Sequence, residues 1–194
     1  MTSPGIVLAS RSPRRRQLLE MLGISHVVDP VEIDERQQAG EDPEPFAQRL
    51  AREKAVAGSK RHPGKWVLGA DTIVVLDKET LGKPSSPDEA EEMLLRLAGK
   101  CHRVVSAVAL ARGEDVHAAH DVTSVWMRSV SRETARQYVA TGEPLDKAGS
   151  YAIQGVGAVL VDRIEGDYFG VMGLPVRLVV ELMRRAGIPY NFSR

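Results

Sequence analysis

Cysteine is nearly missing from this chain. Cys101 is the only one in 194 residues, which excludes an internal disulfide framework and a cysteine-based zinc site. Net charge is missing too. The 26 basic and 26 acidic side chains cancel, so bulk charge offers no footprint for nucleic acid or an anionic membrane, and any anion site has to come from local clustering. No apolar run approaches the roughly 20 residues of a membrane helix. The opening MTSPGIVLASRSPRRR has no apolar stretch long enough for a secretory leader, and its arginines follow the apolar segment. We expect a soluble, cytoplasmic protein with neither a membrane nor a nucleic acid as partner. The common signature loops are absent as well: no Walker loop, no GxGxxG and no GxSxG elbow.

What is present suits an ordinary globular protein. A hydrophobic content of 43% supports a real core, and the length fits one domain or two closely joined lobes. Strand and helix patterns alternate. Gly5 to Ala9 and His26 to Asp29 read as short strands, and Pro13 to Leu22 as a helix stopped by Gly23. Glu44 to Lys60 is a helix with an apolar stripe. Trp66 to Ala70 and Ile73 to Leu76 are strand segments flanking Asp71 and Thr72, and Asp77 to Glu79 is a turn. Pro87 to Ala98 is a helix ending at Gly99. Val104 to Ala111 and Val116 to Arg128 are strands joined at Gly113-Glu114-Asp115. Ser131 to Thr141 is a helix, Ala158 to Ile164 and Tyr168 to Met172 form a hairpin around Glu165-Gly166-Asp167, and Pro175 to Ala186 is the last helix. The hairpins argue against a purely parallel doubly wound sheet. The fold class is therefore mixed α/β with two lobes around a cleft, and the division falls near Lys83.

Two helix starts differ sharply. Ser86-Pro87-Asp88-Glu89 has a capping serine, a first-turn proline and acids at the positive end of the helix dipole, with capping-box spacing from Ser86 to Glu89. Ser12-Pro13-Arg14-Arg15-Arg16 opens the same way but places three cations where the helix end is already positive. That costs about 0.3–1 kcal/mol per charge at an exposed site. An anion bound there explains the cost, because helix N-terminal N–H groups and guanidinium forks together make a phosphate site. The turn Ser10-Arg11-Ser12 would put that site at a strand's C-terminal end, a usual ligand position in α/β folds. The plainer alternative is a solvated basic turn.

Lys54 falls on the helix stripe 47, 50, 51, 54, 55, among apolar positions. It is either a lysine snorkelling from the edge of the stripe or a cation aimed into a cleft. Asp71, in Gly69-Ala70-Asp71-Thr72, interrupts an apolar run. Buried without a partner it would be costly, so it needs a cation, a metal or a strand end. Glu35 lies in an acidic loop that reads equally well as solvated, and Lys83 sits in a Gly/Pro turn. His117 and His120 stand three apart on a strand pattern, which puts them on different faces.

Taken together, these residues resemble the Maf family of nucleotide pyrophosphatases. The matching pieces are Leu8-Ala9-Ser10-Arg11-Ser12-Pro13-Arg14-Arg15, Ala51-Arg52-Glu53-Lys54-Ala55, Gly69-Ala70-Asp71-Thr72, Gly82-Lys83-Pro84, Gly142-Glu143-Pro144-Leu145-Asp146-Lys147-Ala148-Gly149, Tyr151-Ala152-Ile153-Gln154-Gly155 and Val171-Met172-Gly173-Leu174-Pro175. They occur in family order over almost the whole chain. The resemblance implies an elongated α/β fold like that of inosine triphosphate pyrophosphatases, with the active site in a cleft between two lobes. It implies metal-dependent cleavage between the α- and β-phosphates of a nucleoside triphosphate. It also implies active-site positions at Ser10, Arg14, Arg15, Glu35, Lys54, Asp71, Lys83 and Gln154.

Within the family, Arg14, Thr72 and Gln154 match the branch acting on dTTP and UTP, where the branch acting on 7-methyl-GTP carries Trp, Gln and Glu. Arg11 departs from the small residue that many relatives have. On this reading Asp71 is the general base for water, and Glu35 and Asp71 contribute to a Mg²⁺ or Mn²⁺ site, since hard cations take oxygen ligands. Ser10, Arg14, Arg15, Lys54 and Lys83 bind phosphate. Thr72 and Gln154 read the base, for which an amide that both donates and accepts suits a pyrimidine. The rival reading is a septum-formation regulator that binds nucleic acid or a division protein without turnover. The sequence leaves the oligomeric state open, a homodimer included.

Overall fold

The computed structural model describes residues 5–192. Its sheet has seven strands in the order β2-β1-β3-β5-β6-β7, with β4 paired to β3. The sheet is mixed rather than purely parallel, as expected from the sequence. β1 (Ile6–Leu8) runs parallel to both β2 (His26–Val28) and β3 (Val67–Leu76). β4 (Glu79–Leu81) is antiparallel to β3, and β7 (Val161–Glu165) is antiparallel to β6 (Asp115–Met127). β5 spans Cys101–Arg112. Six α-helices complete the fold among the described residues. Among the described residues no helix is long and apolar enough to cross a membrane.

The chain forms two compact units. The first comprises residues up to Asp71, then Ser106–Asp121 and Gly173 onward, and the second comprises Thr72–Val105 and Val122–Met172.

In the first unit, β1 is buried along its whole length, as expected of a parallel strand covered on both faces. α1 (Pro13–Met21) follows it and ends at Gly23, whose φ of 67° takes the left-handed turn that glycine tolerates. α2 (Pro43–Arg61) buries Phe46, Ala47, Leu50, Ala51, Lys54, Ala55, Gly58 and Ser59. Much of that face is small, and the small residues let the helix lie close on β3. A Cβ on Gly69 of β3 would collide with the carbonyl of Ala51 and stand 2.6 Å from the amide of Ala55, and a Cβ on Gly58 would stand 2.7 Å from Val67. α6 (Val176–Arg185) closes this unit.

In the second unit, α3 (Pro87–Leu97) and α4 (Arg132–Ala140) pack on one another over a core that includes Val74, Leu94, Leu97, Val104, Val125 and Tyr138. Two expectations are corrected here. The run from Ala158 to Met172 is not a hairpin. Val156–Leu160 is a 3₁₀ turn, β7 pairs with β6, and Tyr168–Met172 is a short helix, α5. Asp167 decides the outcome, because its Oδ1 accepts from the amides of Phe169 (2.8 Å) and Gly170 (3.2 Å) and so starts a helix. The second correction concerns β3. It runs unbroken through Asp71 and Thr72 instead of splitting around them.

Candidate active site

β1 ends in the turn Ser10-Arg11-Ser12, and Ser12 caps α1 by accepting from the amide of Arg15 at 3.5 Å. Ser10 Oγ accepts from the amide of Ser12 at 3.2 Å. The three arginines that follow then take three different courses. Arg16 turns along the helix surface to Glu20 at 3.3 Å. Arg15 turns inward. Its Nε donates to the carbonyl of Gly173 at 2.9 Å, and its Nη1 donates to Ser10 Oγ at 3.1 Å and to the carbonyl of Ala70 at 2.8 Å. Burial pushes the Arg15 guanidinium below its ordinary value. Asp71 opposes that shift, and the neighbouring charge of Arg14 adds to it. Arg14 has a buried Nε without a hydrogen-bond partner, an unmet donor of the kind that native structures rarely leave unexplained. The basic helix start is thus not a solvated turn.

Lys54 does not snorkel. Only 7% of the residue is exposed, and its Nζ lies 2.7 Å from Asp71 Oδ1 and 2.7 Å from Glu35 Oε1. The close seating of α2 on Gly69 brings the lysine stem to the strand that carries Asp71. Asp71 is therefore buried mid-strand with a cation as partner, and needs neither a strand end nor a bulge. Ala70, whose carbonyl Arg15 holds, is the residue before it. One chain of contacts thus joins Ser10, Arg15, the Ala70-Asp71 segment, Lys54 and Glu35. Arg11, the departure from the family pattern, pairs with Glu32 at 2.6 Å with both side chains mostly exposed, and an exposed pair of this kind contributes little.

Thr72, Lys83 and Gln154 belong to the second unit. Strand alternation projects Thr72 from the face of β3 opposite to Asp71. That is also the face of Val74, whose side chain meets Gly149. Lys83 is exposed in the turn after β4, and the carbonyl of Gly82 before it accepts from the amide of Gly149 at 3.0 Å. Gln154 is exposed in a bend before Gly155.

Glu35 and Asp71 both meet the ammonium of Lys54, and as carboxylate oxygen donors they are the residues here that could hold a hard divalent cation. Among the described residues no group of three or more His, Cys, Asp or Glu gathers for a metal. Such an ion would therefore complete its shell with water and phosphate oxygens, as magnesium commonly does. Sequence reasoning missed what Arg15 binds, since its acceptors are the backbone carbonyls of Ala70 and Gly173. It also gave no role to Glu143, although the residue stands in one of the quoted motifs.

Known proteins resemble this chain along most of its length. A family model described as "Maf-like protein" matches residues 5–186. A Symbiobacterium thermophilum protein named "dTTP/UTP pyrophosphatase" is 50% identical over 95% of this chain and 95% of its own length. A Myxococcus xanthus protein of the same name is 50% identical over 95% of this chain and 93% of its own. An Aquifex aeolicus protein, also so named, is 41% identical over 94% and 96%. Among solved structures, a HAM1 protein from Coxiella burnetii is 19% identical, with a TM-score of 0.44 over 63% of this chain and 72% of that one.

Proposed function

The chain belongs to the Maf-like protein family, and from that premise we propose that it is a nucleoside triphosphate pyrophosphatase acting on dTTP and UTP. The observation that carries the reading is the buried ammonium of Lys54, held 2.7 Å from each of two carboxylates, Glu35 and Asp71. Buried opposite charges seldom stabilise a fold by themselves, whereas phosphate chemistry needs a base, an electropositive cradle and a place for a metal. The relatives named for dTTP and UTP supply the substrate class.

In the proposed reaction a water oxygen bonds to the α-phosphorus and the bond from that phosphorus to the bridging oxygen breaks. The water's proton passes to Asp71, and pyrophosphate leaves. Arg14, with its unmet Nε, and Lys54 stabilise the charge that gathers on the phosphate oxygens. Lys83 adds a third cation. Arg15 acts by fixing the Ser10 turn and the segment before Asp71, because the bonds described above go to protein acceptors. Glu35 and Asp71 would hold Mg²⁺ or Mn²⁺, which when bound neutralises phosphate charge. Thr72 and Gln154 read the pyrimidine. The same reading places the enzyme in the cytoplasm with its nucleotide substrates.

The test is pyrophosphate release from dTTP, UTP and 7-methyl-GTP, with Mg²⁺ or Mn²⁺ supplied. Turnover of dTTP and UTP well above that of 7-methyl-GTP is expected. Asp71→Asn should lower kcat by about 10²–10⁴, the range for losing a general base. A variant that keeps more than about a tenth of the wild-type rate would remove Asp71 from that role.

A further inference from the structure

Glu143 takes no part in the chemistry proposed above, yet it is the most heavily used acceptor near Gln154. It opens the 3₁₀ turn Glu143–Asp146 that follows α4. Its Oε2 accepts from the hydroxyl of Tyr138 at 2.8 Å and from the amide of Gly157 at 2.8 Å. Its Oε1 accepts from the amide of Val156 at 3.2 Å. Tyr138 Oη in turn accepts from the amide of Ala152 at 3.1 Å. The backbone two residues before Gln154 and that two and three residues after it thus end on one Tyr-Glu pair. Between these anchors Gln154 stands exposed.

The fit allows little slack. A Cβ at Gly155, where φ is +90°, would fall on the Glu143 carboxylate, and a Cβ at Gly157 would fall on the Tyr138 hydroxyl. Three donors meeting one side chain call for a group that only accepts, and an ionised carboxylate is the side chain that does so. The main chain of Glu143 is anchored as well. The amide of Glu143 donates to Thr141 Oγ1 at 3.2 Å, and Lys147 Nζ donates to the Glu143 carbonyl.

We propose that Glu143 is a positioning residue for Gln154, and through it sets the preference for pyrimidine nucleotides. The proposal rests on the reading of Gln154 as the residue that meets the base. Glu143→Gln is the informative change, because the amide keeps one acceptor oxygen and turns an N–H group toward the donors that remain. Tyr138→Phe removes the hydroxyl that relays Ala152 to the carboxylate, and serves as a second variant.

The experiment is a double-mutant cycle between Glu143→Gln and Gln154→Ala, read as KM and kcat for dTTP and for dGTP, with hydrogen exchange followed over residues 152–158. Glu143→Gln should raise KM for dTTP at least about tenfold, the loss of one charge-assisted hydrogen bond, while kcat changes far less. The ratio of kcat/KM for dTTP over dGTP should fall, and exchange at Val156 and Gly157 should quicken. In the Gln154→Ala background Glu143→Gln should have little further effect, since interacting residues are not additive. Tyr138→Phe should move the same ratio in the same direction. Additive losses, or an unchanged dTTP preference despite faster exchange, would overturn the proposal and leave the pyrophosphatase reading standing. Absence of dTTP turnover by the unmutated protein, or a Gln154→Ala variant with its preference intact, would overturn the reading beneath it and the proposal with it.

Discussion

α1 and α3 begin alike and end up in different employment. Both have a serine N-cap and a proline in the first turn. In α3 the first turn carries Asp88 and Glu89, and the cap and the Glu89 carboxylate bond within the same turn. Ser86 Oγ accepts from the Glu89 amide at 3.2 Å, and the Glu89 carboxylate accepts from the Ser85 amide at 2.6 Å. The return bond of the capping box thus lands one residue earlier than its spacing suggests. In α1 the first turn carries no acid. One of its arginines, Arg15, reaches a neighbouring turn, a strand and a carbonyl far along the chain, and another, Arg14, is left with an unmet donor. A helix start that satisfies itself is built to hold the fold. The start of α1 leaves the Arg14 Nε unmet, and the proposed phosphate role is the use we assign to it.

Five substitutions and a pH titration would break or sharpen that contrast. The largest effect is expected from Arg15→Ala, which removes the guanidinium bonds to the carbonyls of Ala70 and Gly173. Hydrogen bonds to a charged group contribute about 1.5–3 kcal/mol each, so urea unfolding should register a loss of at least that size. Arg15→Lys should recover only part of it, because a single ammonium lacks the guanidinium fork. Arg14→Ala should separate activity from stability. Its kcat/KM for dTTP should fall about 10–100-fold, while stability holds or rises by up to about 1 kcal/mol as helix-dipole repulsion is relieved. Equal losses in both measurements would make Arg14 a second strut. The two capping serines should differ more modestly. Ser86→Ala should cost about 1 kcal/mol with turnover unchanged. Ser12→Ala, which gives up a longer bond, should cost less in thermal unfolding and more in turnover. The smallest effect concerns pH. Hydrogen bonds from the Ser85 hydroxyl and amide hold the Glu89 carboxyl below its usual 4.5. Its contribution is complete above that value and is lost as pH falls through the lowered one. Amide shifts at the start of α3 should therefore move in acid, while those of α1, with no first-turn carboxylate, should not.

Sequence reading reached much of this because caps and stripes are local. The Ser-Pro starts, the glycine stops and the place of Lys54 on its stripe all follow from neighbours within a turn or two, although the stripe left open whether that lysine snorkels or is buried. The function followed from ordered motifs rather than from any single residue. Other features stayed hidden because their causes are distant or ambiguous. The three bonds of Arg15 join residues 10, 70 and 173, and no spacing announces a carbonyl as a partner. β3 looked interrupted because Asp71 is polar, and its continuity depends on a lysine seventeen residues earlier. The segment at Tyr168 looked like a strand because a five-residue apolar run has no period of its own. The helix-starting aspartate at 167 was the available signal.

Gly69 has a consequence beyond packing. The helix that bears Lys54 rests on this glycine, and the lysine stem spans what remains to Asp71. The separation of the charged groups is therefore gauged by a hydrogen atom that takes no part in the reaction. A single methyl at position 69 would act like a shim under a lever. It would lift α2 near its middle and shift Lys54 against Asp71 without changing either side chain, so on the proposed mechanism a folded protein would lose turnover with both groups still present.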